Sequence, residues 1–247
     1  MLSVKEVDAK LARLRTRSSA RDQRMRDVLS VRQGDISKVY PAMFSEEYPK
    51  PLVANFIDVA ARDLAEAMAP LPSFNCSATN MVSDAARKAA DTRTRIANFY
   101  ATNSDLQLQM YTAADWYNTY GLGIGMVEMD YDDNNPRIRM LNPFGTYPEL
   151  DRYGRVLSVT QVIVTDAETL AAQYPEYYDL ILGRNQYALS SPYVSMVKYH
   201  DKDQDLLYIP ERKNLVLSRT PNILGRAMAS VIMRSSLDGE ARGQFDD

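Results

Sequence analysis

Three groups of residues in this 247-residue chain have types and spacings that could do chemistry. Gly121, Gly123 and Gly125 form a G-x-G-x-G, the kind of run that lets a backbone close around phosphate. Asp130, Asp132 and Asn134 stand at positions 1, 3 and 5 of a calcium loop. His200, the single histidine, would have to serve any zinc site or any Ser-His-Asp set. A fourth group is electrostatic: Arg13, Arg15, Arg17, Arg21, Arg24 and Arg26 crowd one stretch that could meet an acidic subunit or nucleic acid phosphate.

Context weakens the first three. A dinucleotide loop follows a strand and opens a helix, whereas here a helical pattern precedes the glycines and a strand pattern follows them. The better account of Gly121 is a left-handed helix end, with Gly123 and Gly125 permitting close backbone packing at a strand entry. The calcium loop needs glycine at position 6 and glutamate at position 12, where this chain has Asn135 and Leu141. Turn chemistry at a hairpin tip explains the same Asp and Asn residues. His200 sits in "KYHDKDQD" and reads as a surface histidine; no second histidine is available for zinc. No P-loop, G-x-S-x-G, H-E-x-x-H or C-x-x-C is present. The residues therefore suggest no cofactor and no metal. Sixteen tyrosines raise the idea of a stacking platform, but the six between Tyr111 and Tyr153 do not alternate with basic residues as a series. Packing and subunit contacts are the plainer reading for them.

The elements that must position these groups change character along the chain. Residues 3–30 read as a helix, with Val4, Val7, Leu11 and Leu14 on one stripe and Met25, Val28 and Leu29 continuing it. Residues 33–51 read as loop. A second helix is expected from Pro51 to Pro70, burying Leu52, Val53, Phe56, Ile57, Ala60, Leu64 and Met68. Ser83 caps a third helix that runs to about Tyr100, and Ser104 with Gln107 suggests a capping box for a fourth. After Tyr120 the period falls to two. "IGMVEMDY", "RIRML" and "RVLSVTQVIV" read as strands, with "DDNNP" as the first turn. Thr165 and Glu168 suggest the cap of a short helix ended by Pro175. "YVSMVKYH", "DLLYIP" and "NLVLS" read as a meander. Helices first and antiparallel strands second predict an α+β fold.

Net charge is −3, but residues 1–32 hold nine Lys/Arg against four Asp/Glu, so the first 32 carry +5 and the rest −8. Such asymmetry suggests a surface that faces something acidic. The lone Cys76 permits no intrachain disulfide. No apolar run approaches the roughly 18 residues of a membrane span, so no membrane partner is expected and the cytoplasm, or an assembly built there, is.

The succession of pieces resembles the portal proteins of tailed bacteriophages, in particular siphovirus-like phages of actinobacteria. The residues that carry the resemblance are a helix ending in Tyr120-Gly121 and running into a strand, then Leu141-Asn142-Pro143, Tyr147-Pro148, Asp151 and the Gly154-Arg155 turn. By order of elements it covers roughly residues 1–235. It implies a non-enzymatic virion protein. Such proteins form a homo-oligomeric ring, a dodecamer, at one capsid vertex and act as the head–tail connector. Double-stranded DNA is packaged and ejected through its channel. The implied partners are the major capsid protein, the terminase and the head-completion or neck proteins, with assembly in the host bacterial cytoplasm. On this reading residues 1–32 are a basic N-terminal helix and 33–247 a portal wing-like α+β domain, and the stem and clip of longer portals are not expected in the chain. The six arginines would then contact a neighbouring subunit or DNA. Two alternatives stay open: a small soluble enzyme with an acid pair or nucleotide site, and another virion component of the capsid or neck.

Overall fold

The computed structural model describes residues 1–36, 56–70, 72–80, 82–130, 135–183 and 192–233. The expected loop at 33–51 and the start of the second helix lie largely outside them, as do Asp132, Asn134 and most of the first turn. The α+β class is observed: helices come first and antiparallel sheets follow.

The first helix, α1 (Val4–Arg32), runs unbroken for 29 residues. Ser3 and Glu6 close its start as a reciprocal capping box: Glu6 Oε2 accepts from Ser3 N at 2.7 Å, and Ser3 Oγ accepts from Glu6 N at 3.4 Å. Val7, Leu11, Ser18 and Met25 are buried along it, spaced four and then seven residues apart, which keeps them on one seam. The chain divides into two compact units, and α1 crosses the division between residues 22 and 23. Among the described residues, a helical unit takes 23–143 and 229–233, and a sheet unit takes 1–22 and 144–228.

The helical unit holds α2 (Phe56–Met68), α3 (Asp84–Asn103) and α4 (Leu106–Tyr120), followed by β1 (Leu122–Asp130) and β2 (Asn135–Met140). A late strand, β8 (Ala229–Met233), completes an antiparallel sheet in the order β2-β1-β8. Asp130 faces Asn135 across the antiparallel β1–β2 ladder. Ser83 caps α3 as expected, accepting from Ala86 N at 3.3 Å. Gly121 ends α4 at φ 71°, its N–H on Tyr117 O, and Gly123 and Gly125 lie within β1. Only glycine adopts that left-handed end without a steric cost.

Two expectations fail in this unit. The apolar stripe of α2 is not its buried face. Phe56, Ile57, Leu64 and Met68 are exposed, while Ala65 packs inward. Helical periodicity locates an apolar face but does not say whether a neighbour covers it. The Ser104–Gln107 box also does not form. Asp105 precedes α4 in a left-handed conformation with no side-chain cap. Ser104 Oγ instead accepts from Ile138 N at 2.9 Å, and Gln109 Oε1 accepts from Met140 N at 2.8 Å. Ser104, between α3 and α4, and Gln109 of α4 thus satisfy outward amides of β2, which lies at the edge of its sheet.

The sheet unit is a meander of β3 (Thr146–Leu150), β4 (Val156–Asp166), β5 (Tyr193–Asp201), β6 (Gln204–Ile209) and β7 (Leu215–Pro221), paired in chain order. Alternation sends residues to two faces. On one face Tyr147, Val197, Tyr199, Leu206 and Tyr208 pack against Val7 and Leu11 of α1. On the other, Val194, Ile209 and Leu217 meet α5 (Ala167–Gln173) and α6 (Tyr178–Leu182). The cap of α5 is Asp166, one residue past the expected Thr165; its carboxylate accepts from Thr169 N at 2.8 Å. That contact holds the Asp166 carboxyl below its usual pKa.

Candidate functional site

The side chains that sequence reasoning selected lie on α1, so the site begins with how α1 is held. Its N-terminal half rests on the sheet through apolar contacts and three polar clips. Asp8 accepts from the buried Tyr208 hydroxyl. Lys10 pairs with Glu149 on β3, and its ammonium stands 5.4 Å from the centre of the Tyr199 ring. Tyr147 donates to Asp22 at 3.1 Å, while Arg21 pairs with Asp22 at 2.8 Å and also reaches the Thr146 carbonyl at 3.3 Å. Burial, reinforced by the neighbouring aspartates, pushes the hydroxyls of Tyr208, Tyr199 and Tyr147 above the ordinary tyrosine range. Tyr199 donates to Asp201 at 2.8 Å. These tyrosines are neutral donors clamped under a helix.

Five of the six candidate arginines, Arg13, Arg15, Arg17, Arg24 and Arg26, are exposed on α1. At 100° per residue, Arg13, Arg17 and Arg24 share one flank of the helix, and Arg15 and Arg26 the other. Arg21 departs from the set: it is half-buried and serves as an anchor to β3. The helix therefore presents two basic flanks rather than one convergent pocket.

His200 overturns the surface reading. It is 4% exposed. Its Nδ1 faces Asp205 across the β5–β6 ladder, and its Nε2 accepts from Met228 N at 2.8 Å. An Nε2 that accepts leaves the proton on Nδ1, which then donates to Asp205. Both nitrogens are thus engaged, Nδ1 with Asp205 of β6 and Nε2 with the Met228 amide, a structural role that the position beside a polar turn concealed.

A groove of about 300 Å³ lies beside α1, with Asp8, Arg15, Ser195 and Glu211 among its lining residues. Its two carboxylates are engaged, Asp8 by Tyr208 and Glu211 by the Ser195 amide at 3.3 Å. Among the described residues no cluster of three His, Cys, Asp or Glu side chains is set to hold a metal, and no helix is long and apolar enough to cross a membrane.

The sequence reading placed a turn at Gly154-Arg155 but missed the side-chain cluster on it. There Tyr153 stands exposed with Arg152 and Arg155 over its ring, at 4.6 and 5.8 Å from the centre. The signal was local: "DRYGR" carries both arginines and the turn glycine within five residues. The clips under α1 had no such signal, because Asp8 and Tyr208 are 200 positions apart.

No protein-family model matches the chain, and no curated protein matches it.

Proposed function

We propose that the chain is a structural subunit of a tailed-phage portal, the ring at the capsid vertex through which double-stranded DNA is packaged and ejected. The observation that carries this reading is the order of pieces from α4 to β4. A helix ends at Tyr120-Gly121, a hairpin follows, and Leu141-Asn142-Pro143 leads to an edge strand bearing Tyr147-Pro148. A tight Asp151–Arg155 turn then opens the long strand β4. That order is the one for which the sequence resembles portal wings.

Two further features support it. The polar residues under α1 are spent on holding a helix to a sheet, as a scaffold subunit requires. The exposed arginine flanks of α1 suit an acidic neighbour, a scaffold or packaged DNA. On this reading the terminase and the neck proteins dock on the assembled ring, and the virion is the site of action.

Negative-stain microscopy and mass photometry of the purified full-length gene product test the proposal. The expected result is a closed ring with a central hole and a mass that is an integral multiple of the subunit, twelve by resemblance. A stable monomer that binds a nucleotide would overturn it. Charge reversal at Arg13 and Arg17 is expected to impair ring closure or DNA packaging.

A further inference from the structure

The β3–β4 turn carries a feature that the ring reading does not use. Asp151 N donates to Arg155 O at 2.9 Å, and Gly154 N donates to Asp151 O at 3.0 Å, closing a tight turn. Gly154 takes φ +77°, which suits glycine at that position. Asp151 Oδ1 accepts from both Tyr153 N and Arg155 N at 2.8 Å. The one carboxylate within the turn is thus directed into its own backbone.

The two cations nearby are placed differently from most of the paired arginines in this chain. Arg21, Arg32, Arg87 and Arg139 each meet a carboxylate. Arg152 and Arg155, among the described residues, meet the ring of Tyr153 instead, which itself remains 68% exposed. A guanidinium lying over an aromatic ring keeps its N–H edge open for a planar, bidentate contact with an oxyanion.

We propose that the Arg152-Tyr153-Arg155 tip is a phosphate-binding finger that grips the phosphodiester backbone of nucleic acid without reading its sequence. Two phosphates are contacted, one per guanidinium, and Tyr153 holds the pair apart and in place. The open part of its ring adds stacking where a base is unpaired. The contact is made by a single subunit and stands whether or not the chain forms a ring.

The test is fluorescence anisotropy of the full chain with labelled DNA, duplex and single-stranded, from about 50 to 200 mM salt. Replacing Arg152 and Arg155 by Ala is expected to weaken binding of duplex and to reduce the slope of log K against log salt by about 1.8, at about 0.9 per phosphate released. For single strands the expected reduction is about 1.4, at about 0.7 each. Tyr153→Ser keeps both charges, so affinity falls while the slope stays. A control with the same loss of charge, Lys5→Ala with Lys202→Ala, is expected to keep the wild-type slope. All these positions are exposed, and unchanged melting curves check that each variant folds.

Arginine-dependent binding of either form of DNA supports the finger. An unchanged slope in the double arginine variant, an equal loss in the lysine control, or no binding of DNA by the wild type overturns it. Arginine-dependent binding to anionic vesicles or a phosphopeptide in place of DNA overturns it as well.

Discussion

Replacing Arg32 by Ala should be among the most damaging single changes in the helical unit. Arg32 ends α1 and is 12% exposed. It donates from Nε and Nη2 to Asp58 of α2 at 2.9 and 2.6 Å. Nη1 donates to Asp115 of α4 at 2.9 Å and to Thr119 at 2.6 Å. Burial alone would lower the guanidinium pKa, yet the two aspartates raise it overall, so the charge is held. Removing one partner of a buried pair costs about 3–5 kcal/mol, because the remaining charge is left unpaired. Two facts reduce that here. Both aspartates keep 19% exposure, and Arg62 still holds Asp58 Oδ2 at 2.8 Å. The expected loss is about 2–3 kcal/mol, which for a chain of this size lowers Tm by roughly 4–12 °C. Urea and thermal unfolding followed by circular dichroism measure it. Arg32→Lys keeps the charge but not the fork and should fall between Ala and wild type. The triple change Arg32→Met, Asp58→Leu, Asp115→Leu should recover most of the loss, since it removes the unpaired charges. An Arg32→Ala protein within about 0.5 kcal/mol of wild type, the scatter of surface substitutions, would refute the reasoning.

Two further outcomes are expected. Gly145→Ala should destabilise by more than about 2 kcal/mol. At φ +76° its new Cβ would lie 2.8 Å from Val162 O, a backbone atom that cannot swing away. Gly154→Ala, at φ +77° with open space around it, should cost only about 1 kcal/mol, and equal urea midpoints for the two would contradict the clash. Alkali should unfold the protein early. Tyr199 and Tyr208 hold their protons in the fold beyond the pH at which an unfolded tyrosine, with a pKa of about 10, gives them up. The stability they confer is therefore full below about pH 10 and is lost as pH rises further, because the unfolded state releases protons first. Urea midpoints across that range should fall for wild type and fall less for Tyr208→Phe.

The element types and order were legible because each rests on local pattern. The switch from helical to alternating period at Tyr120 marks the start of β1. Ser83 and Gly121 act where their chemistry suggests. The Ser3–Glu6 box was equally readable in "SVKE". What could not be read was which candidate partner wins. Ser104 has the spacing of a cap, but its hydroxyl is drawn to a strand amide 34 residues on. His200 was hidden for a related reason. Asp205 is close in sequence, but the Met228 amide that takes its other nitrogen becomes a neighbour only once the segment after β7 folds back. The α2 stripe shows the converse limit, since apolar periodicity was present while Phe56, Ile57, Leu64 and Met68 stand exposed among the described residues.

The path of the chain through its two units has a consequence for fragments and for synthesis on the ribosome. The polypeptide starts in the sheet unit, leaves for residues 23–143, returns for 144–228 and ends its described course in the helical unit with β8. A single break after residue 143 therefore yields no intact half. The first piece lacks β8, and the second lacks the N-terminal half of α1 that covers Tyr199 and Tyr208. During translation the first 22 residues emerge long before the sheet they cover. Joining them across the intervening 121 residues costs loop entropy on the order of 4 kcal/mol. The helical unit waits in turn for its last strand. Neither core can close until nearly the whole described chain has been made, so completion of the two units is tied to a single late moment.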